Sequence, residues 1–139
     1  MYKRQRVLKP GGVFATWCYL VQLIDNHEYP DVVELVQRIY FELVHEYWAK
    51  ERKHLEQGYA NIDIPLELIE APTYHIQIHW DLDELCGYVN TWSACRAYKE
   101  QKGQFPTETL VAEFRKAWPD PKQKRSFAWP MPLRAGRLK

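Results

Sequence analysis

The sequence predicts an α/β fold with rather little sheet for its helices. A nearly continuous apolar run at residues 13–19 follows a Pro-Gly-Gly turn, and apolar and polar residues alternate over residues 73–80. Both patterns are typical of strands. Between and after these runs, apolar residues recur at helical spacing. Because strands and helices alternate and the chain has 139 residues, we expect one α/β domain.

The first and the last predicted extended segments, residues 13–19 and 125–133, have different sequence patterns. The run at residues 13–19 is apolar at successive positions, whose side chains point to opposite faces, so it predicts a strand buried on both faces, as in a parallel sheet. Such a strand needs neighbours on both sides. Residues 125–133 contain Pro130 and Pro132, which predict an edge strand or a poorly paired one, because proline donates no ladder hydrogen bond.

Helices are predicted in the segments between the strands. Asp31 opens a long helix whose apolar face continues towards Gly58, which can end it. Residues 62–66 are predicted to form an extended connector, because Pro65 disfavours the helical conformation of the residue before it. Asp81 begins a second helical region that ends near Gly103, and a further helix follows Pro106.

Composition narrows the class of protein. With 46% hydrophobic and 27% charged residues, the chain is globular, and no apolar run reaches the length of a membrane span. Three cysteines without a CxxC pair predict free thiols in a reducing cytoplasm. The chain ends are basic and its middle is acidic. Nucleic-acid binding is disfavoured, since the basic residues are not interleaved with stacking aromatics; the ends could instead face an acidic partner surface.

Three stretches resemble one family. They are residues 6–14, which contain the Pro-Gly-Gly turn; residues 47–59, with Tyr-Trp, Glu-Arg-Lys and Gly-Tyr; and residues 87–94, followed by Trp-Pro-Met-Pro-Leu at 129–133. In this order and spacing they resemble class I S-adenosylmethionine-dependent methyltransferases of the broad type 11 group related to trans-aconitate methyltransferase. The resemblance implies a partial Rossmann-like fold: its last three strands plus a helical insertion on the substrate side.

The resemblance also implies how the chain is organised. Residues 1–139 would form a single domain, the C-terminal portion of a methyltransferase, with a fifth-strand region (1–23), a helical insertion (24–71) and a strand-helices-strand section (72–139). The family binds its cofactor with a glycine-rich loop after the first strand and an acid after the second. Only Gly11 and Gly12 are close together, and they precede a strand. We therefore expect the chain to lack the cofactor-binding half and not to bind S-adenosylmethionine alone.

Candidate substrate-binding residues follow from these positions and from side-chain chemistry. The aromatic members could instead be core residues, and the arginines could be solvated helix residues. The set is Trp17, Tyr19, Tyr47, Arg52, Tyr59, Trp92, Ser93 and Arg96. No catalytic residue is expected, because direct methyl transfer depends mainly on positioning. His75 and His79 lack a third ligand, so we expect no metal site.

The resemblance implies S-adenosylmethionine-dependent methyl transfer to a small molecule, and a carboxylic acid is one candidate because arginine pairs with carboxylates. The isolated chain is expected to be inactive. The alternative is a non-catalytic interaction or regulatory subunit that pairs with a complete methyltransferase. Besides the methyl acceptor, the expected partner is a second copy or a chain supplying the missing half, through an unpaired edge at residues 13–19. No membrane partner is expected.

Overall fold

The computed structural model describes residues 8–21 and 28–139. Over these residues strands and helices alternate, which confirms the α/β class. Arg6 and Val7, at the start of the first family-like stretch, and the predicted boundary between residues 23 and 24 lie outside the described residues. The division into three sections therefore stays a prediction.

The strands among the described residues are β1 (Val13–Trp17), β2 (Glu67–Ile69), β3 (Tyr74–Trp80), β4 (Arg125–Met131) and β5 (Leu133–Arg137). The helices are α1 (Pro30–Arg38), α2 (Arg52–Glu56), α3 (Leu82–Asn90), α4 (Ser93–Lys102), α5 (Pro106–Thr109) and α6 (Val111–Ala117). A π-helical segment (Ile39–Leu43) and a 3-10 turn (His45–Tyr47) follow α1. Within the described chain, no helix is both long and apolar enough to span a bilayer.

Two small sheets are present. In the first, the strand order is β1-β5-β2, and both pairs are antiparallel. Val13 lies opposite Arg137 and Trp17 opposite Leu133. On the other side of β5, Ile69 lies opposite Ala135. The second sheet consists of β3 and β4.

The prediction that residues 13–19 are buried on both faces is wrong for this structure. Val13 is 46% exposed and Trp17 is 61% exposed. The reason is that β1 is the edge strand of its sheet: β5 is its one neighbour among the described residues, and that neighbour is antiparallel. The sequence pattern shows that the strand is apolar but not what covers it.

The prediction of an edge strand over residues 125–133 is confirmed for β4, whose one partner among the described residues is β3, whereas β5, which begins where the predicted segment ends, is the middle strand of the first sheet. The two prolines do not prevent pairing, since their carbonyl groups are still acceptors. The Pro132 carbonyl accepts a hydrogen bond from the Cys18 amide at 3.3 Å, and the Pro130 carbonyl accepts one from the Leu20 amide at 3.0 Å. Pro132 lies between β4 and β5 and divides the segment.

The single long helix predicted from Asp31 towards Gly58 is also wrong. Helical hydrogen bonding changes after Arg38, where the Val44 amide donates to the Ile39 carbonyl at 3.0 Å. The chain leaves the helix at Val44 and is extended at Trp48, before α2 begins. Apolar spacing cannot distinguish an α-helix from a π-helical segment, because both place buried residues at similar intervals.

The predicted features of the second helical region are largely confirmed. Asp81 is the N-cap of α3: its side chain accepts from the Glu84 amide at 3.0 Å, and the Glu84 carboxylate accepts from the Asp81 amide at 2.8 Å. Gly103 ends α4 in the left-handed conformation, with φ 83°. The region is nevertheless two helices, because Trp92 is extended and separates α3 from α4.

Contacts divide the chain into two compact units. Unit 1 comprises the described part of Met1–Leu23 with Glu51–Ile76 and Trp129–Lys139, and it contains the first sheet. Unit 2 comprises the described part of Ile24–Lys50 with Gln77–Ala128. Its core consists of fully buried apolar side chains, among them Val32, Ile39, Tyr40, Leu85, Val89, Phe114, Trp118 and Phe127.

Truncating a core side chain of unit 2 tests this packing. Leu85 is completely buried, so Leu85→Ala should lower the free energy of unfolding by about 3 kcal/mol through lost burial and the cavity left behind. Val111 is exposed on α6, and Val111→Ala should change that free energy by less than about 0.5 kcal/mol. Urea denaturation followed by circular dichroism measures both. Equal effects would contradict the assignment of the core.

The Asp81 cap makes stability depend on pH. The hydrogen bond from the Glu84 amide is the main cause that lowers the pKa of Asp81. A lowered folded-state pKa contributes stability above the ordinary carboxyl pKa of about 3.9, and this contribution is lost as the pH falls through the folded value. Asp81→Ala should therefore reduce the urea midpoint at pH 7 but have a smaller effect below about pH 4.

Asp81→Asn is the matched variant, because asparagine keeps a capping acceptor but carries no charge. It should lose less stability than Asp81→Ala at pH 7. A constant difference between wild type and Asp81→Ala from pH 7 to pH 3 would contradict a role for the charged carboxylate.

Candidate functional site

The candidate substrate-binding residues are distributed over both units. Trp17, Tyr19, Arg52 and Tyr59 belong to unit 1, and Tyr47, Trp92, Ser93 and Arg96 belong to unit 2. Each group is described within its own unit. Their roles in substrate binding stay predictions.

In unit 1, Trp17 ends β1 and Tyr19 follows it, and both side chains are exposed. Neither is therefore a core aromatic in this structure. Between them, Cys18 is buried, and its Sγ donates to the Leu55 carbonyl at 3.7 Å. Burial raises the pKa of the Cys18 thiol, and the positive charge of Arg52 opposes this shift. Arg52 is the first residue of α2, so a positive charge on α2 acts on the thiol that directly follows β1.

The same unit holds Tyr59 in an unusual backbone conformation. Its φ is 61°, in the left-handed region, and it follows Gly58, which has φ 56°. A Cβ on Gly58 would lie 2.8 Å from the Pro132 Cγ, so this position accommodates only glycine without displacement. The Arg134 guanidinium donates to the carbonyl groups of Tyr59 and, at 2.6 Å, Ile62. These contacts fasten the Tyr59 turn to β5.

In unit 2, Trp92 lies in a cluster of aromatic rings. Its ring centroid is 5.7 Å from that of Tyr40, 5.9 Å from Tyr88 and 6.0 Å from Trp48. Trp92 is only 7% exposed, and its buried Nε1 has no hydrogen-bond partner. The Trp48 Nε1, in contrast, donates to the Tyr40 carbonyl at 3.3 Å. A buried N–H that is not hydrogen-bonded costs free energy, so Trp92 is the unsatisfied donor of this cluster.

The remaining candidates in unit 2 lie on or against α4. Ser93 is the first residue of α4, and Arg96 lies in its first turn, with its amide bonded to the Trp92 carbonyl at 3.0 Å. Both side chains are exposed. The Tyr47 hydroxyl donates to the Gln101 side chain, and its ring packs edge-on against Tyr98 at 5.7 Å. Tyr47 is thus bonded to α4 rather than free to bind a ligand.

Arg125, at the start of β4, is 7% exposed and is not among the candidate residues predicted from the sequence. Its guanidinium lies 4.1 Å from the Tyr29 ring centroid and 4.4 Å from that of Trp118. Its Nη1 donates to the Ala117 carbonyl at 3.1 Å, and burial lowers its pKa. Cation–π contacts of this kind stabilise a buried arginine. No local sequence pattern distinguishes it from the solvated arginines nearby.

The cysteines are not suited to nucleophilic chemistry. Burial raises the pKa of Cys95 to about 12, and burial with the nearby charge of Asp83 raises the pKa of Cys86 to about 11. Since the thiolate is the reactive form, these thiols are unreactive at neutral pH. In the part of the chain that the structure describes, no group of three or more potential ligands could hold a metal ion.

The described residues do not fit an S-adenosylmethionine site. Such a site needs a close backbone approach after a strand and a carboxylate available for the ribose hydroxyls. Neither a glycine nor an acid occurs at residues 18–20, directly after β1, and Glu70, the acid directly after β2, has no glycine in the residues that follow it up to β3. After β3, the Asp81 carboxylate accepts the Glu84 amide and lies 3.9 Å from the Lys122 ammonium. It is therefore already engaged.

The sequence and the structure are both similar to proteins named as methyltransferases. No protein-family model matches the sequence. A protein from Dictyostelium discoideum, provisionally named a methyltransferase, is 27% identical over 95 residues, which are 68% of this chain and 35% of that protein. A solved structure from Anaeromyxobacter dehalogenans, provisionally named a type II methyltransferase, is 34% identical with a TM-score of 0.83, and the match covers 98% of this chain and 56% of that chain.

The chain thus spans about a third of the first relative and about half of the second. Its mixed helices and small sheets are what a partial fold of this kind would contain. In sequence and in fold, the chain is related to methyltransferases and corresponds to the C-terminal part of such a protein.

Proposed function

We propose that the chain supplies the acceptor side of an S-adenosylmethionine-dependent methyl transfer to a small molecule. The observation that supports this most strongly is the 34% identity and 0.83 TM-score with the Anaeromyxobacter protein over nearly the whole chain. The cofactor would be bound by polypeptide beyond the residues described. The free cysteines support a reducing, cytoplasmic setting for this reaction.

Trp92 is the residue we assign to acceptor binding. Its Nε1 is a buried donor without a partner, and the rings of Tyr40, Trp48 and Tyr88 surround it. An acceptor oxygen bonded to this N–H would remove the cost of the unsatisfied donor. The hydrogen bond would position the acceptor, which is the main contribution that a protein makes to direct methyl transfer, and the surrounding rings would add apolar contact and exclude water.

A small carboxylic acid is the acceptor class that we favour. Arg96 is exposed in the first turn of α4, directly after Trp92, and its backbone amide is bonded to the Trp92 carbonyl. A guanidinium binds a carboxylate through two parallel hydrogen bonds. Arg96 would thus fix one end of an acidic acceptor while Trp92 donates to another oxygen.

A chimeric enzyme tests this function. The 139-residue chain would be joined to the part of the Anaeromyxobacter protein that it does not match. The chimera should transfer labelled methyl groups from S-adenosylmethionine to members of a panel of small organic acids. Trp92→Phe should lower kcat/KM about tenfold, the equivalent of about 1.4 kcal/mol for one lost hydrogen bond to a charged group.

Trp48→Phe is the matched control, because the Trp48 N–H is already bonded within the cluster. It should change kcat/KM less than Trp92→Phe does. A folded chimera without transferase activity, or equal losses in the two variants, would contradict the assignment of the acceptor side.

Calorimetry tests where the cofactor binds. Titration of S-adenosylmethionine into the isolated chain should give no saturable heat, since the described residues lack a glycine turn with an available carboxylate. The complete Anaeromyxobacter protein, titrated under the same conditions, is the positive control. Micromolar binding by the isolated chain would show that it contains a cofactor site after all.

A non-catalytic interaction subunit is the second candidate function. The exposed apolar side chains of β1, above all Trp17, favour this alternative, because large exposed apolar surfaces often mark protein interfaces. The chimera separates the two. If it folds but remains inactive, and the chain changes the activity of a complete methyltransferase added in trans, the interaction subunit is the better account.

A further inference from the structure

A cleft in unit 2 lies between α3 and the segment that contains α5 and α6. It encloses about 290 Å³, close to the lower end of the volumes of small-molecule sites in proteins. Its lining is mainly apolar and includes Leu82, Cys86, Val111, Phe114 and Pro121. Phe114 is 1% exposed, whereas Val111 is 46% exposed. The wall is thus packed from behind and open in front, and it offers contact area to a small apolar group.

The cleft is preformed, because its two walls are joined at both ends. At one end the Thr107 hydroxyl donates to the Asn90 side chain at 2.8 Å, and Thr107 is buried. At the other end the Leu82 amide donates to the Pro121 carbonyl at 3.0 Å. One wall therefore runs from Leu82 to Asn90, and the other returns from Thr107 to Pro121. These contacts lie within unit 2 and fix the spacing of the walls without a ligand.

The two ends of the cleft carry opposite charges. Arg115 lies towards the Pro121 end and Glu108 towards the Thr107 end, and both side chains are exposed. Seven residues of largely helical chain separate them, which corresponds to roughly 10 Å. Within the described part of the chain, Arg115 forms no ion pair. Its guanidinium, with five N–H donors, is therefore available to a ligand.

The acidic residues of the cleft leave this charge in place. The Asp83 carboxylate lies 2.6 Å from the Lys122 ammonium and is compensated by it. The Glu108 carboxylate accepts from the Phe105 amide, which fixes it at the far end. Because opposite charges attract, Arg115 favours an anionic group at its own end, and Glu108 disfavours a second anionic group at the other.

We propose that this cleft binds a small monocarboxylate with an apolar chain. The carboxylate pairs with Arg115 through two parallel hydrogen bonds, and the chain lies along Cys86 and Val111. Covering Val111 removes an exposed apolar side chain from water, which favours binding. None of the residues assigned to the acceptor site around Trp92 lines this cleft. The inference therefore does not depend on the proposed function.

Hexanoate is the probe for this site. Titrated into the isotope-labelled 139-residue chain, it should shift the NMR amide resonances of Cys86 and Val111 and saturate in about the millimolar range. Hexylamine has a cationic end, and adipate has a second carboxylate that Glu108 would repel. Both should bind at least about tenfold more weakly than hexanoate.

Arg115→Gln should weaken hexanoate binding at least about tenfold, because it removes a pair of charge-assisted hydrogen bonds. Lys116→Gln is the matched control, since it removes one positive charge from the neighbouring position of α6. It should change the affinity less than about twofold, because salt screens exposed charges that do not contact the ligand. Arg96→Gln should leave the shifts of Cys86 and Val111 unchanged, which separates the cleft from the acceptor site. Circular dichroism confirms that each variant is folded.

The chimera with the Anaeromyxobacter polypeptide extends the test to a longer protein. When folded, it should bind hexanoate with the same affinity as the isolated chain, and loss of binding would mean that the added polypeptide covers the cleft. That result would overturn the proposal. So would the absence of a saturable shift at Cys86 and Val111, shifts confined to residues around Trp92, or equal effects of Arg115→Gln and Lys116→Gln.

Discussion

The antiparallel pairing of β1 with β5 is the constraint on which unit 1 depends. It joins residues 13–17 to residues 133–137, close to the two ends of the chain. β5 and the residue before it make three further contacts in the unit: the close approach of Pro132 to Gly58, the hydrogen bonds from Arg134 to the Tyr59 turn, and the packing at Gly136, where a Cβ would lie 2.8 Å from Leu66. Without β5 in place, these segments would have no common support.

Unit 2 depends on a different kind of constraint, the interruption of helical structure at defined residues. Trp92 is extended between α3 and α4, and this interruption allows its ring to pack among the rings from Tyr40, Trp48 and Tyr88. A continuous helix would place residue 92 within the turn and carry its side chain in another direction. The unsatisfied Trp92 donor is therefore a product of the helix break, and our assignment of acceptor binding rests on it.

Sequence patterns of a few residues correctly predicted those helix ends and strands that depend on neighbouring residues alone. Strict alternation identified β3, the acidic cap identified the start of α3, and Gly103 identified the end of α4. Helix interruptions at Val44 and Leu110 were not predictable, since apolar spacing continues through them. The strand β2 has only three residues and exists because β5 provides its partner.

The candidate site shows the same limit. Trp92 could be selected from its sequence context, but that its N–H lacks a partner depends on residues far away in the chain. Arg125 and Arg134 could not be selected, because their roles come from a ring pair and from distant carbonyl groups. The hydrogen-bonding state of Trp92 and the contacts of the two arginines thus depend on residues distant in the chain, which short windows of sequence do not include.

The distance in sequence between β1 and β5 affects how the chain emerges during synthesis. β1 is made more than a hundred residues before its partner. Ribosomes add about 5–20 residues per second, so β1 spends several seconds without its pairing strand. During that interval the uncharged strand β1, which contains two aromatic residues, is exposed. Chaperones and other chains being translated from the same mRNA can bind it. Residues 133–137 therefore protect β1 by pairing with it, and they leave the ribosome only after it.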